Sequence, residues 1–199
     1  MNNDLLIYIA HALLWVVFGI TRFAAQRSSS AVPVPDYQEA ARATTTAPHS
    51  RMLLVVHSLA FGFMYFGLGA AVVPNQVPAV WAGQRVVGAL VIAAAAALIC
   101  WALAHFASWR IRAKLEAGHR LATDGPFRHL RHPIYMGLNL LALGSAIWVP
   151  TPVLWMSVVL MCIGSDLRAR AEEKLLLQVF GAAYRDYCQR TSRFVPGIY

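Results

Sequence analysis

Five long apolar stretches alternate with polar segments of unequal charge along the 199-residue chain. Leu5 to Thr21 carries no charged side chain. Met52 to Val73 contains one histidine, His57, and Val86 to Trp109 contains His105 and the alanine tract Ala93 to Ala97. Ile134 to Val149 and Pro152 to Ser165 are shorter and are separated only by Pro150 and Thr151. None of these runs alternates with a period of two, and in lipid only helices or closed barrels satisfy the backbone. A span needs roughly 20 apolar residues, with about 17 as a lower limit. The first three runs qualify; the last two are short alone and read as a helical hairpin with a tight turn. Prolines at that turn lack an N–H and suit a helix start. The predicted fold class is an all-α integral membrane protein of about five transmembrane helices with a helical C-terminal segment. The alanine tract is expected to permit close helix packing.

The polar segments predict topology. Four arginines lie in the connection 22–51, none in 74–84 (Arg85 is at its edge), and six basic residues lie in each of 110–131 and the C-terminal tail. Basic loops mark the cytoplasmic side, so the N-terminus is expected outside and the C-terminus in the cytoplasm. Asp4 precedes the first apolar run and Arg22 and Arg27 follow it, the reverse of a secretory signal, so that run is expected to be a retained helix. Ser28 to His49 is a polar loop rich in Ser, Thr, Ala and Pro, open to a short interfacial helix starting near Asp36 and to a lid role. Residues 1–109 then hold three helices and the polar loop 28–50, and residues 110–199 hold the chemistry, including the hairpin 134–167.

Composition sharpens this picture. The chain is 58% hydrophobic and 13% charged, about half the charge of a soluble domain. Its net charge of +8 suits anionic headgroups rather than nucleic acid, because the basic residues flank apolar runs. Cys100, Cys162 and Cys188 are odd in number and lack CxxC spacing, so neither a disulfide framework nor a zinc motif is expected.

Two polar segments concentrate functional groups. In His119 to Gly137, Asp124-Gly125-Pro126 is a turn signal, and Arg131-His132-Pro133 opens an apolar run with Tyr135 close by. Such groups at a helix N-terminus suit an anionic or zwitterionic ligand. They equally suit an interfacial belt, in which arginine snorkels and tyrosine anchors at headgroups. In Arg168 to Tyr199, Arg168 and Glu172 are four apart and share a helix face. The adjacent Glu172 and Glu173 repel unless cations or a ligand sit nearby; a solvated helix with ion pairs to Arg168, Arg170 and Lys174 is the alternative. His129 and His132 are spaced by three without a third ligand or a His-Glu-x-x-His motif, so no metal site is expected. His57 and His105 are expected as bundle-facing polar residues, although intramembrane ionisable groups often mark function.

At these segments the sequence resembles the isoprenylcysteine carboxyl methyltransferase family, with its short prokaryotic members and the related phospholipid methyltransferases. Arg131-His132-Pro133-Ile134-Tyr135-Met136-Gly137 is similar to R-H-P-x-Y-x-G, and His119 to Phe127 is similar to H-x-L-x-T-x-G-P-Y with Phe for the final Tyr. Arg168, Glu172-Glu173, Phe180-Gly181, Tyr184, Tyr187 and Val195-Pro196-Gly197 follow the family's C-terminal order. The likeness covers roughly 110–199 and implies a membrane methyltransferase that uses S-adenosyl-L-methionine and releases S-adenosyl-L-homocysteine. Its cofactor would be held by His119, Leu121, Gly125, Arg131, His132, Pro133, Tyr135, Gly137, Glu172 and Glu173. Arg168 and Glu172 would act at the reacting centre. A lipophilic or lipidated substrate, most simply a prenylcysteine-like carboxylate, would enter sideways from the bilayer, with no nucleic acid as a partner and the protein in a prokaryotic inner membrane. Two alternatives share these features. Membrane sterol reductases that use NADPH resemble the same C-terminal half, but tend to have Asn where this chain has Ile134. A non-catalytic scaffold would keep the helices without the chemistry.

Overall fold

A computed structural model describes residues 3–29, 45–46, 50–105, 114–115 and 121–198. Five helices carry the fold: α1 (Leu6–Ser29), α2 (Ser50–Val72), α3 (Ala82–His105), α4 (Pro133–Trp148) and α5 (Pro152–Arg190). Two-residue strands, β1 (Thr45–Thr46) and β2 (Lys114–Leu115), pair antiparallel. The protein is an all-α integral membrane protein, and among the described residues that pairing and an isolated bridge between Leu130 and Ser192 are the β structure. The short helix considered near Asp36, and His119, lie outside the described residues.

The helix ends follow local chemistry. Asn75, in the left-handed region at φ 57°, ends α2. The Asn75 N–H donates to the Val72 carbonyl (3.2 Å) and the Gln76 N–H to that of Ala71 (2.7 Å), the two bonds of a Schellman cap. Pro133 and Pro152 open α4 and α5. Thr151 caps α5, its side chain accepting from the Leu154 N–H at 3.4 Å.

Helices α1, α2, α3 and α5 are long and apolar enough to cross a membrane, and α4, with 16 residues, is a shorter apolar helix. The short α4 is the centre of the bundle: α3 and α5 pack on it, α1 packs on α3, and α2 packs on α5. Small residues bring α3 and α4 together. A Cβ added to Gly144 would lie 2.9 Å from the Gly88 carbonyl oxygen, and one added to Gly88 would lie 2.9 Å from that of Gly144. The alanine tract contributes to the same face, with Ala95 fully buried.

The last apolar run does not end as a helix near Ser165. Helix α5 continues for 39 residues to Arg190, with its non-helical point at Gly181 (φ 52°, ψ −118°). Charged side chains from Asp166 onward leave the apolar part of α5 without breaking the helix, because only the backbone of Gly181 departs from helical geometry. The first 20 residues of α5 already span about 30 Å, so the segment around Glu173 lies at or beyond the hydrocarbon edge.

At the end of the bundle away from Pro133, polar side chains clasp α1 to its neighbours. Arg85 donates to Asp4 through Nε (2.7 Å to Oδ1) and Nη2 (3.1 Å to Oδ2), and Trp148 Nε1 donates to Asp4 Oδ1 at 3.3 Å. Buried His11 lies 3.0 Å from Ser145 Oγ through Nε2 and 3.2 Å from the Tyr65 hydroxyl through Nδ1. Trp15 Nε1 donates to the same hydroxyl at 2.6 Å.

Candidate functional site

Arg131 and His132 immediately precede α4, and the chain's C-terminal strap lies beside them. The Arg131 and His132 N–H groups donate to the carbonyls of Ser192 (2.8 Å) and Arg193 (3.2 Å), and the Ser192 N–H donates to that of His129 (3.1 Å). Positive φ at Gly181 turns the end of α5 so that the Tyr187 hydroxyl donates to the Phe127 carbonyl at 2.7 Å. Two distant parts of the sequence are thereby stitched across the start of α4.

Helix α5 brings Arg168, Glu172 and Glu173 to this junction. The two carboxylates have different surroundings. Glu173 Oε1 accepts from Arg131 Nε (2.9 Å) and Arg193 Nε (3.1 Å) and lies 3.3 Å from His132 Nε2, while its Oε2 accepts from Arg193 Nη2 at 2.6 Å. Burial pushes the Glu173 carboxyl up, but hydrogen bonds from His132, Arg193 and Arg131 outweigh it and hold the group far below the usual carboxylate range. Arg193 also reaches Asp166 at 3.3 Å, and Arg131 Nη1 also donates to the carbonyls of Cys188 (3.2 Å) and Thr191.

Glu172 is less enclosed, with 24% of its side chain exposed. Its Oε1 accepts from the Tyr135 hydroxyl and lies 3.9 Å from Arg168 Nη2; its Oε2 lies 3.7 Å from His132 Nδ1. The buried Arg168 guanidinium stands 5.1 Å from the Tyr135 ring centroid, within cation–π range. His132 stacks on that ring at 5.7 Å and 15°. An anion, a cation, an aromatic face and an imidazole thus meet where an apolar bundle opens toward water.

The structure gathers Arg131, His132, Tyr135, Arg168, Glu172 and Glu173 from the candidate residues. Pro133 is fully buried as the first residue of α4, and Leu121 is half-buried. Gly125 and Gly137 stand against α3. Gly125 has φ +58°, and a Cβ there would come within 2.6 Å of the His105 ring; a Cβ on Gly137 would come within 2.4 Å of Ile99. Arg193 was not legible as a site residue, although the need of two adjacent carboxylates for more cations than Arg168 was a signal. His57, Asn139 and Ser165 also border the cluster: the His57 ring lies 5.7 Å from Tyr135, and Ser165 Oγ donates to Asn139 Oδ1 at 2.8 Å.

Comparison with known proteins bears on this cluster. Protein-S-isoprenylcysteine O-methyltransferase B of Arabidopsis thaliana is 32% identical over 90 residues, 44% of this chain and 45% of that protein. The protein-S-isoprenylcysteine O-methyltransferase of Schizosaccharomyces pombe is 33% identical over 90 residues, covering 44% and 38%, and that of Saccharomyces cerevisiae 32% over 96 residues, covering 47% and 40%. The chain spans less than half the length of these curated relatives. The phospholipid methyltransferase family model matches residues 83–183, from the start of α3 past the Gly181 kink and over half of the chain. The stretch holds the α3–α4 contact, the start of α4 and both carboxylates of α5, and the chain belongs to the phospholipid methyltransferase family.

Proposed function

We propose that the protein is a membrane-embedded methyltransferase that uses S-adenosyl-L-methionine on a lipophilic acceptor, most simply a prenylcysteine-like carboxylate. The observation that carries this reading is the part-open Glu172 carboxylate beside the buried Arg168, within the segment shared with the named methyltransferases. The donor set fits a zwitterionic sulfonium nucleoside. Glu172 offers carboxylate oxygens to a cation or to ribose hydroxyls, and the His132–Tyr135 stack offers an aromatic wall. Arg131 and Glu173 secure the strap that closes this region. When bound, S-adenosylmethionine supplies an electrophilic methyl group on a positively charged sulfur.

Displacement at such a methyl group needs an aligned nucleophile more than a strong base. A carboxylate acceptor is already ionised at neutral pH, and Arg168 can hold its two oxygens in a planar contact. An amine acceptor must lose a proton, and Glu172 is the base in reach of the site. The apolar walls of α2, α4 and α5 exclude water, which strengthens both interactions. The lipophilic part of the acceptor lies among the helices and enters from the bilayer. We place the Pro133 end of α4 and the C-terminus on the cytoplasmic side of the membrane, because the basic segments cluster there.

The test is methyl transfer from radiolabelled S-adenosylmethionine by purified protein in lipid. The acceptors are N-acetyl-S-farnesylcysteine and phosphatidylethanolamine. Base-labile methyl on the farnesylated acid supports O-methylation of a lipophilic carboxylate. Base-stable methyl on the phospholipid instead makes the acceptor an amine, and NADPH binding with no transfer to either moves the protein to reductase chemistry.

A further inference from the structure

His57 lies in α2, outside the matched 83–183 stretch, and the methyl-transfer chemistry above does not use it. It is only 4% exposed within an apolar helix, where a polar ring is costly unless its position serves a purpose. Its surroundings are specific. The His57 ring lies 5.7 Å from the Tyr135 ring at 31°, and the same tyrosine bears the Arg168 guanidinium and the stacked His132. His57 Nε2 lies 3.4 Å from Ser165 Oγ. Ser165 Oγ donates to Asn139 Oδ1 at 2.8 Å, so this serine ties His57 to Asn139. The opposite edge of the His57 ring fits over Gly164, where an added Cβ would lie 3.2 Å from Nδ1.

We propose that His57 is a positioning residue for methyl transfer. The His57–Ser165–Asn139 relay fixes the imidazole, and the imidazole holds the Tyr135 ring so that its hydroxyl stays on Glu172. The motif-free helix α2 thereby takes part in the reaction, on the methyltransferase reading above. Magnitudes favour positioning over simple bundle stability. Interhelical hydrogen bonds in membranes each add little to stability, whereas a misplacement of about 1 Å near a reacting centre can cost roughly 100-fold in rate.

The experiment is a double-mutant cycle of His57→Phe and Tyr135→Phe in the full chain, because phenylalanine keeps an aromatic ring at each position and removes the polar atoms. It is read in kcat with radiolabelled S-adenosylmethionine and N-acetyl-S-farnesylcysteine. It is also read in S-adenosylhomocysteine affinity by calorimetry, which needs no acceptor. The expected result is a loss of about tenfold in His57→Phe with little change in melting temperature. That loss shrinks to about twofold or less when Tyr135 is already phenylalanine. Gly164→Ala, which crowds the imidazole, should give a smaller loss with the same dependence on the Tyr135 hydroxyl. Equal losses in both backgrounds, or a loss confined to melting temperature, overturn the role of His57 while leaving the methyltransferase reading intact. A folded wild type that neither binds S-adenosylhomocysteine nor transfers methyl overturns that reading, and this inference with it.

Discussion

Polar groups gather at both ends of α4, and the two gatherings are built differently. Toward Trp148, Ser145 Oγ donates to the Leu141 carbonyl at 2.7 Å, so it accepts from His11 Nε2. His11 Nδ1 then accepts from the Tyr65 hydroxyl, which accepts from Trp15 Nε1. Each donor in this chain has one acceptor and no group needs a charge. Asp4 and Arg85 neutralise each other beside it. Toward Pro133, Glu173 is saturated by three basic side chains, whereas Glu172 has one hydroxyl donor and longer contacts to Arg168 and His132. A closed neutral relay holds helices together. A carboxylate left part-open beside a buried guanidinium is arranged for a ligand.

Substitutions that separate holding from binding break or sharpen that contrast. The largest effect is expected at the reacting centre: Glu172→Ala and Arg168→Ala should each lower turnover about 10²–10³-fold, more than they weaken cofactor binding. Methyl-transfer assays check this, and wild-type turnover in Arg168→Ala would remove the carboxylate clamp. Next, Glu173→Ala should cost about 3 kcal/mol of stability, because it strips mostly buried Arg131 of its counter-charge and takes one of two carboxylates from Arg193. Thermal denaturation should show the drop, with cleavage of the C-terminal strap under limited proteolysis. Tyr135→Phe comes third. It removes one hydrogen bond to a charged oxygen, worth about 1.5 kcal/mol, and calorimetry should find S-adenosylhomocysteine binding roughly tenfold weaker with the fold intact. Smallest is His11→Phe, expected to cost about 0.6 kcal/mol per lost interhelical bond and to leave kcat unchanged. A large loss of kcat there would mean that the two ends of α4 are not separable.

How much of this was legible depended on whether the cause was local. Hydrophobic runs and the prolines at 133 and 152 placed α4 and α5, because proline acts on its own turn. The run of α5 on to Arg190 matches the solvated helix considered after the last span, because charged side chains do not break a helix. Arg131, His132, Tyr135, Arg168, Glu172 and Glu173 were readable from motif spacing, and they converge. Arg193 was not, since it reaches Glu173 only after the Gly181 turn lays Ser192 beside Leu130. Gly125 and Gly137 read as part of the ligand motif, and the motif alone did not show that their missing side chains make room for His105 and Ile99. A single histidine in an apolar run, such as His57 or His11, gives no local sign of what it will face.

The most direct measurement is calorimetric binding of S-adenosylmethionine, S-adenosylhomocysteine and NADPH to detergent-purified protein, wild type beside Glu172→Ala. Saturable binding of the first two, weakened in the variant while its melting temperature holds, is the predicted result. Binding of NADPH alone, or of none of the three by a demonstrably folded protein, would contradict a methyl-donor site at the Pro133 end of α4.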